Sequence, residues 1–123
     1  MKNDNLVFVY GTLMSGCFNN VLLKQGNATL VQTGNIAGEM YDLGWFPGVK
    51  LRGTNTVKGE VWEVDQSTLS LLDRLEGEGR LYRRTKACVA DYYRGACDVW
   101  VYEIIREPSP DDLISSGDWK ERD

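Results

Sequence analysis

Two places in the chain carry residue types whose spacing suits chemistry. The first is Glu76. Leu69 and Leu72 recur at helical spacing, and the next position of that stripe, seven after Leu69, is a glutamate with Leu75 beside it. A carboxylate in the last turn of a helix also meets the negative end of the helix dipole, a disadvantage of roughly 0.3–1 kcal/mol. Partial burial and the dipole both raise a carboxyl pKa, and a carboxyl that keeps its proton near neutrality suits general acid–base work. A plainer role competes: a helix-end glutamate can reach water or pair with Arg80 or Arg83. Asp73, one turn earlier, reads as a surface residue.

The second place is Tyr10-Gly11-Thr12-Leu13. A strand that ends in glycine and turns into a loop presents several backbone N–H groups together, enough to cradle a carboxylate or an oxyanion. The P-loop and dinucleotide glycine patterns are both absent, and an ordinary strand-to-helix turn with Thr12 bonding locally is the alternative. Cys17 stands near a helix start, where a thiol pKa can fall, but a small packed side chain is the simpler account of it. Tyr82 and Tyr102 read equally as core or rim aromatics and as ligand contacts.

The 123 residues contain no histidine. This excludes Ser-His-Asp and Cys-His pairs and removes the commonest zinc ligand, so a carboxylate, tyrosine, lysine or thiol must move any protons. No metal or other cofactor is expected. Eighteen acidic against fourteen basic residues give a net charge of −4, which argues against a nucleic-acid partner. The basic run Arg80, Arg83, Arg84 and Lys86, flanked by Glu76, Glu78 and Asp91, reads as a mixed, solvated surface. No apolar run approaches the length of a membrane span. Three cysteines without CxxC spacing suggest free thiols in a reducing compartment, and the expected location is cytoplasmic.

The elements that must position these residues follow from apolar patterning. The length supports one domain over residues 1–123, with a core at about 6–104 and a tail at 105–123. Leu6 to Tyr10 is a continuous apolar run, suited to a strand buried on both faces. Phe18, Val21 and Leu22 indicate a short helix that Gly26 ends. Residues 28–43 alternate loosely around Gly34 and Gly38, as in a long bent strand or a bulged pair. Val49 and Leu51 read as a hairpin with Val57, Val61 and Val64 across a turn at 52–55. Asp65 caps a helix from about Gln66 to Glu76, stopped by Gly77. Residues 85–93 and 96–104 read as a hairpin about Arg94-Gly95, pairing Tyr93 with Ala96 and placing Cys88, Ala90, Cys97, Val99 and Val101 on a core face. Asp91, Tyr93, Asp98 and Trp100 take the other face. Trp45, Phe46 and Pro47 are expected to form an apolar plug, and Trp119 to anchor a tail with one helical turn near Asp111–Ile114. The sum is an α+β domain, a small, mainly antiparallel β-barrel or curled sheet with two short helices.

Tyr10 to Leu13 after the first strand, Gly38 to Gly48, Val57 to Val64, and Leu72-Asp73-Arg74-Leu75-Glu76-Gly77 followed by Tyr82-Arg83 occur in an order that resembles the γ-glutamylcyclotransferase-like family, which includes γ-glutamylamine cyclotransferases and AIG2-like proteins. The resemblance spans roughly residues 6–104. It implies a small mixed β-barrel with helices against it and a cavity for a γ-glutamyl small molecule. It also implies that Tyr10, Gly11, Thr12 and Leu13 bind the substrate, that Glu76 is the acid–base residue, and that Tyr82 contacts the substrate. In the reaction so implied, the substrate's α-amine attacks its own γ-carbonyl and releases 5-oxoproline and an amine or amino acid. The protein then needs no histidine and no covalent nucleophile. A non-catalytic binding module for a γ-glutamyl-like molecule is the alternative, although a binder has no need of a carboxyl in an apolar stripe. A thiol redox sensor conflicts with a hairpin that puts Cys88 and Cys97 in the core.

Overall fold

The computed structural model describes residues 5–17, 19–90 and 99–122. Strand β1 (Asn5–Val9) is central to a five-stranded sheet of order β2-β5-β1-β7-β6. The other members are β2 (Thr29–Ala37), β5 (Thr56–Val64), β6 (Tyr82–Ala87) and β7 (Val99–Ile104). Val7, Phe8 and Val9 are all buried, as a continuous apolar run in a strand covered on both faces requires. β1 runs antiparallel to β5 and parallel to β7, so the sheet is mixed. Its outer edges curl toward each other and touch at one bridge, where the Ala90 amide donates to the Asn35 carbonyl over 2.8 Å. The described strands form a curled sheet and not a closed barrel, which corrects the barrel alternative.

Residues 29–64 form one long bent hairpin. β2 pairs with β5 from Thr29–Glu63 to Ala37–Thr56, with a bulge between Leu30 and Gln32. After Gly38 the same arm continues as β3 (Glu39–Asp42), which pairs with β4 (Pro47–Lys50) across the short connection at 43–46. The hairpin expected between Val49-Leu51 and Val57–Val64 is therefore incorrect. β4 has β3 as its partner, and residues 51–55 are an excursion in the second arm. Arg52 holds that excursion, bonding Glu39 over 2.8 Å and Glu107 through both terminal nitrogens.

Helix α1 (Asn20–Gln25) ends at Gly26. Helix α2 (Gln66–Glu76) has the expected bounds. Asp65 accepts the Thr68 amide over 2.8 Å at its start, and Gly77 at φ 65° ends it in the left-handed region that glycine tolerates. Leu69 and Leu72 bury its apolar stripe in the core.

β6 and β7 are antiparallel, but Lys86 faces Trp100 and Ala87 faces Val99, three residues from the register that pairs Tyr93 with Ala96. The turn itself, with Asp91, Tyr93, Ala96, Cys97 and Asp98, lies outside the described residues. Val99 and Val101 are in the core as expected, whereas Cys88 and Ala90 are exposed and Val89 is buried between them. The strand stops at Ala87, and the following residues turn toward β2, which inverts the alternation. Cys88 is disulfide-bonded and Cys17 is a free thiol, so the expectation of three free cysteines fails, and the compartment loses that support. The C-terminal segment packs onto the domain: Ile114 donates to Met40, Lys58 donates to Gly117, and Trp119 is buried. Among the described residues no helix is long and apolar enough to cross a membrane.

Candidate active site

The end of β1, the loop after it, the end of α2 and the start of β6 surround a cleft of about 210 Å³. Tyr10, Gly11, Thr12, Leu13, Glu76 and Tyr82 all line it. The residues singled out from sequence therefore converge, although they come from the loop after β1, from α2 and from β6.

The loop has a one-sided hydrogen-bond pattern. The Gly11 carbonyl accepts the Met14 amide over 3.0 Å, and the Thr12 carbonyl accepts the Asn19 amide over 2.8 Å. The Leu13 carbonyl accepts the Asn20 side chain over 2.8 Å, and the Thr12 hydroxyl accepts the Asn19 side chain over 2.9 Å. With those carbonyls satisfied, the N–H groups of Gly11, Thr12 and Leu13 have no acceptor among the described residues. Amides without acceptors beside a cleft are suited to an anion. Glycine suits position 11, because a Cβ there would lie 2.7 Å from Pro47 Cγ and would force the loop or the proline to shift.

Beyond Gly11–Leu13, the loop is clamped by Glu60, a buried carboxylate on β5. Its Oε1 accepts the Ser15 amide over 2.8 Å, the Ser15 hydroxyl over 3.2 Å and the Trp62 indole over 3.0 Å. A buried carboxylate with three donors is satisfied and holds the loop rigid.

The Glu76 carboxyl makes no hydrogen bond or ion pair among the described residues, and neither Arg80 nor Arg83 pairs with it. Burial pushes its carboxyl up to about 7, because the charged form loses solvation and gains no partner. Burial likewise raises the phenols of Tyr10, Tyr82 and Tyr102, and the Glu76 charge adds to each shift. All three are neutral donors at ordinary pH.

Their hydroxyls are committed within the protein. Tyr82 donates to the Pro47 carbonyl over 2.7 Å, so it presents its ring to the cleft, tilted against Phe46 with centroids 6.4 Å apart. Tyr10 donates to the Tyr102 carbonyl over 2.5 Å, and Tyr102 donates to Asp73 over 2.7 Å. Asp73 also receives Arg84 through two nitrogens, at 2.9 and 3.2 Å.

Asp73 is thus a half-buried junction and not the surface residue expected, and Arg84 is not a solvated charge but lies between Asp73 and the ring of Trp100. Spacing carried a signal for Asp73, which is three residues before Glu76 on the same side of the helix. Nothing in the sequence marks Arg84 as its partner. The plug is also partly corrected: Pro47 is buried and Phe46 lines the cleft, but Trp45 is 91% exposed.

The γ-glutamyl cyclotransferase, AIG2-like family matches residues 7–121. The chain belongs to that family. It is 35% identical over 124 residues to the γ-glutamylcyclotransferase family protein YtfP of Escherichia coli K12, covering 95% of this chain and 97% of that one. It is also 35% identical over 125 residues to γ-L-glutamyl-butirosin B γ-glutamyl cyclotransferase of Niallia circulans, covering 94% of this chain and 75% of that one. Among solved structures, an AIG2-like protein from mouse aligns with a TM-score of 0.78 at 25% identity, over 94% of this chain and 87% of that one. The family match extends past residue 104 into the C-terminal segment that packs on β3 and β5. In this γ-glutamyl cyclotransferase family member, the cleft combines amides without acceptors, an unpaired carboxyl and buried neutral phenols. That set can bind an anionic head group and move a proton without a histidine or a metal.

Proposed function

We propose that the chain is a γ-glutamyl cyclotransferase that releases 5-oxoproline, with Glu76 as its acid–base residue. The observation that carries this is the unpaired carboxyl of Glu76, raised to about 7, in one cleft with the acceptor-free amides of residues 11–13. Those amides hold the substrate α-carboxylate or the oxyanion that develops on the γ-carbonyl. Glu76 takes a proton from the α-ammonium, and the freed amine attacks the γ-carbonyl carbon to close the five-membered ring. As the bond to the leaving nitrogen breaks, the same carboxyl returns the proton to that nitrogen. The second proton that the attacking nitrogen sheds matches the one the free amine takes from water.

The rigid cleft supplies orientation. Holding an intramolecular nucleophile near its target is worth several kcal/mol at the best effective molarities, and a positioned acid–base adds about 10²–10⁴-fold. The ring of Tyr82 forms part of the wall against the bound head group. The test is to incubate the protein with a panel of γ-glutamyl compounds and assay 5-oxoproline. Release from at least one, abolished in Glu76→Gln, is expected. Binding of such compounds without release from any of them would make the chain a binding module instead.

A further inference from the structure

Every polar group of Ser15 is held from outside the amide loop. Its amide and hydroxyl donate to the buried carboxylate of Glu60 on β5. Its carbonyl accepts the Lys120 ammonium over 2.7 Å, from a residue 105 positions along the chain. Asn19 and Asn20 bind the inner part of the loop at Thr12 and Leu13, so Glu60 and Lys120 together fix its outer end.

The backbone that delivers the ammonium is itself fixed. The Ile114 amide donates to the Met40 carbonyl of β3, and the Lys58 amide of β5 donates to the Gly117 carbonyl, each over 2.8 Å. Gly117 lies so close to β5 that a Cβ there would collide with the Thr56 carbonyl oxygen. Trp119 is 5% exposed and packs in the core, with the Arg122 guanidinium 3.7 Å from its ring centroid. Asp118 accepts the Lys120 amide over 3.0 Å. A long surface side chain loses much of the energy of its bond to the entropy of being held. Here only the side chain must be ordered, because residues 114–122 are already in place.

Resting on the cyclotransferase reading above, we propose that the C-terminal segment belongs to the frame of the active site, with Lys120 a positioning residue that fixes the amide loop through the Ser15 carbonyl. Lys120 itself does not line the cleft. A weaker hold on Ser15 spreads the directions of the Gly11, Thr12 and Leu13 amides and loosens their grip on the substrate carboxylate. That carboxylate is bound in the ground and transition states alike, so the loss falls on KM.

Three variants of the whole chain test this. Lys120→Met keeps the length of the side chain and removes its donor, and Lys120→Arg restores one. Lys58→Met controls for charge: Lys58 lines the same surface hollow as Lys120 and Glu60, and its side chain makes no bond to the loop among the described residues. For a γ-glutamyl compound that the protein turns over, Lys120→Met should raise KM about three- to tenfold, the scale of one lost hydrogen bond. Its kcat should stay within about twofold, with the urea midpoint near that of the parent. Lys120→Arg and Lys58→Met should keep KM within about twofold. Amide hydrogen exchange reads the same loop without turnover: the Met14 and Ser15 amides should exchange several times faster in Lys120→Met alone. Parent-like KM or parent-like exchange in Lys120→Met overturns the proposal, as does an equal loss in Lys58→Met, which would leave charge as the cause. If no γ-glutamyl compound is turned over, the cyclotransferase reading falls, and the exchange rates by themselves decide whether Lys120 holds the loop.

Discussion

Tyr102 on β7 donates its hydroxyl to Asp73 of α2 over 2.7 Å, and its own backbone carbonyl accepts the hydroxyl of Tyr10. One residue thus joins the strand that leads into the amide loop to the helix that carries Glu76. The two halves of the cleft are joined by a chain of buried and part-buried hydrogen bonds, with Arg84 closing it from β6. Removing Asp73 leaves a guanidinium and a phenol without their acceptor. Asp73→Ala is expected to lose about 1.5–3 kcal/mol of stability in urea denaturation and, by shifting Glu76, to lower kcat by about tenfold to a hundredfold. Asp73→Asn keeps an acceptor oxygen and should fall between the two. Parent-like kinetics in Asp73→Ala would show that the junction does not position the site.

Glu76→Gln separates catalysis from stability. It is expected to lower kcat by about 10²–10⁴-fold, and survival of turnover within about tenfold would remove Glu76 as the proton carrier. The folded-state pKa, about 7, lies above the ordinary 4.5, so the fold favours the protonated carboxyl. Its stabilising effect is complete below the unfolded pKa and is lost as pH rises to about 7. The glutamine variant should therefore be more stable than the parent above neutrality, by at most about 3 kcal/mol, and no different in acid. Urea titrations at the two ends of that window measure it.

The same carboxyl sets the rate profile. As the base in the free enzyme it must be ionised, so kcat/KM should rise with pH and level off above about 7. A profile that is flat from about pH 5 to about pH 8 would mean that a different group moves the proton.

Gly11→Ala tests the loop. The new methyl would meet Pro47 Cγ and Cδ at 2.7 and 2.8 Å, so the loop or the proline must move. Overpacking of this kind costs about 1–3 kcal/mol, and displaced amides should raise KM more than they lower kcat. Unchanged KM in a destabilised variant would assign Gly11 to packing alone.

Tyr82→Phe asks which part of the side chain faces the substrate. The hydroxyl is spent on the Pro47 carbonyl, so its loss should cost about 1 kcal/mol of stability. Because the ring remains, kcat/KM should stay within about fivefold. A larger loss of kcat/KM with stability intact would give the hydroxyl a role toward the substrate.

Helix α2 was legible from end to end, since its signals act within four residues: Asp65 caps the Thr68 amide, and Gly77 takes a left-handed turn. The placement of Glu76 within an apolar stripe was legible for the same reason. Strand partners were not. The 52–55 turn looks like a hairpin, but Gly38 lets the first arm bend and continue as β3, and β3 takes the edge of β4 that β5 would have used.

Asp73 shows the same division. Its place on the helix can be read from spacing, whereas its bonds to Tyr102 and Arg84 join residues 29 and 11 positions away. The sequence alone determined the helix ends, the buried central strand, the absence of histidine chemistry and the odd carboxylate, because caps, periodicity and composition are local or additive. Tertiary structure alone decided that Glu76 has no partner among the described residues and that the three loop amides share its cleft. Each of those depends on which distant surfaces compete for a group, and local sequence does not encode that competition.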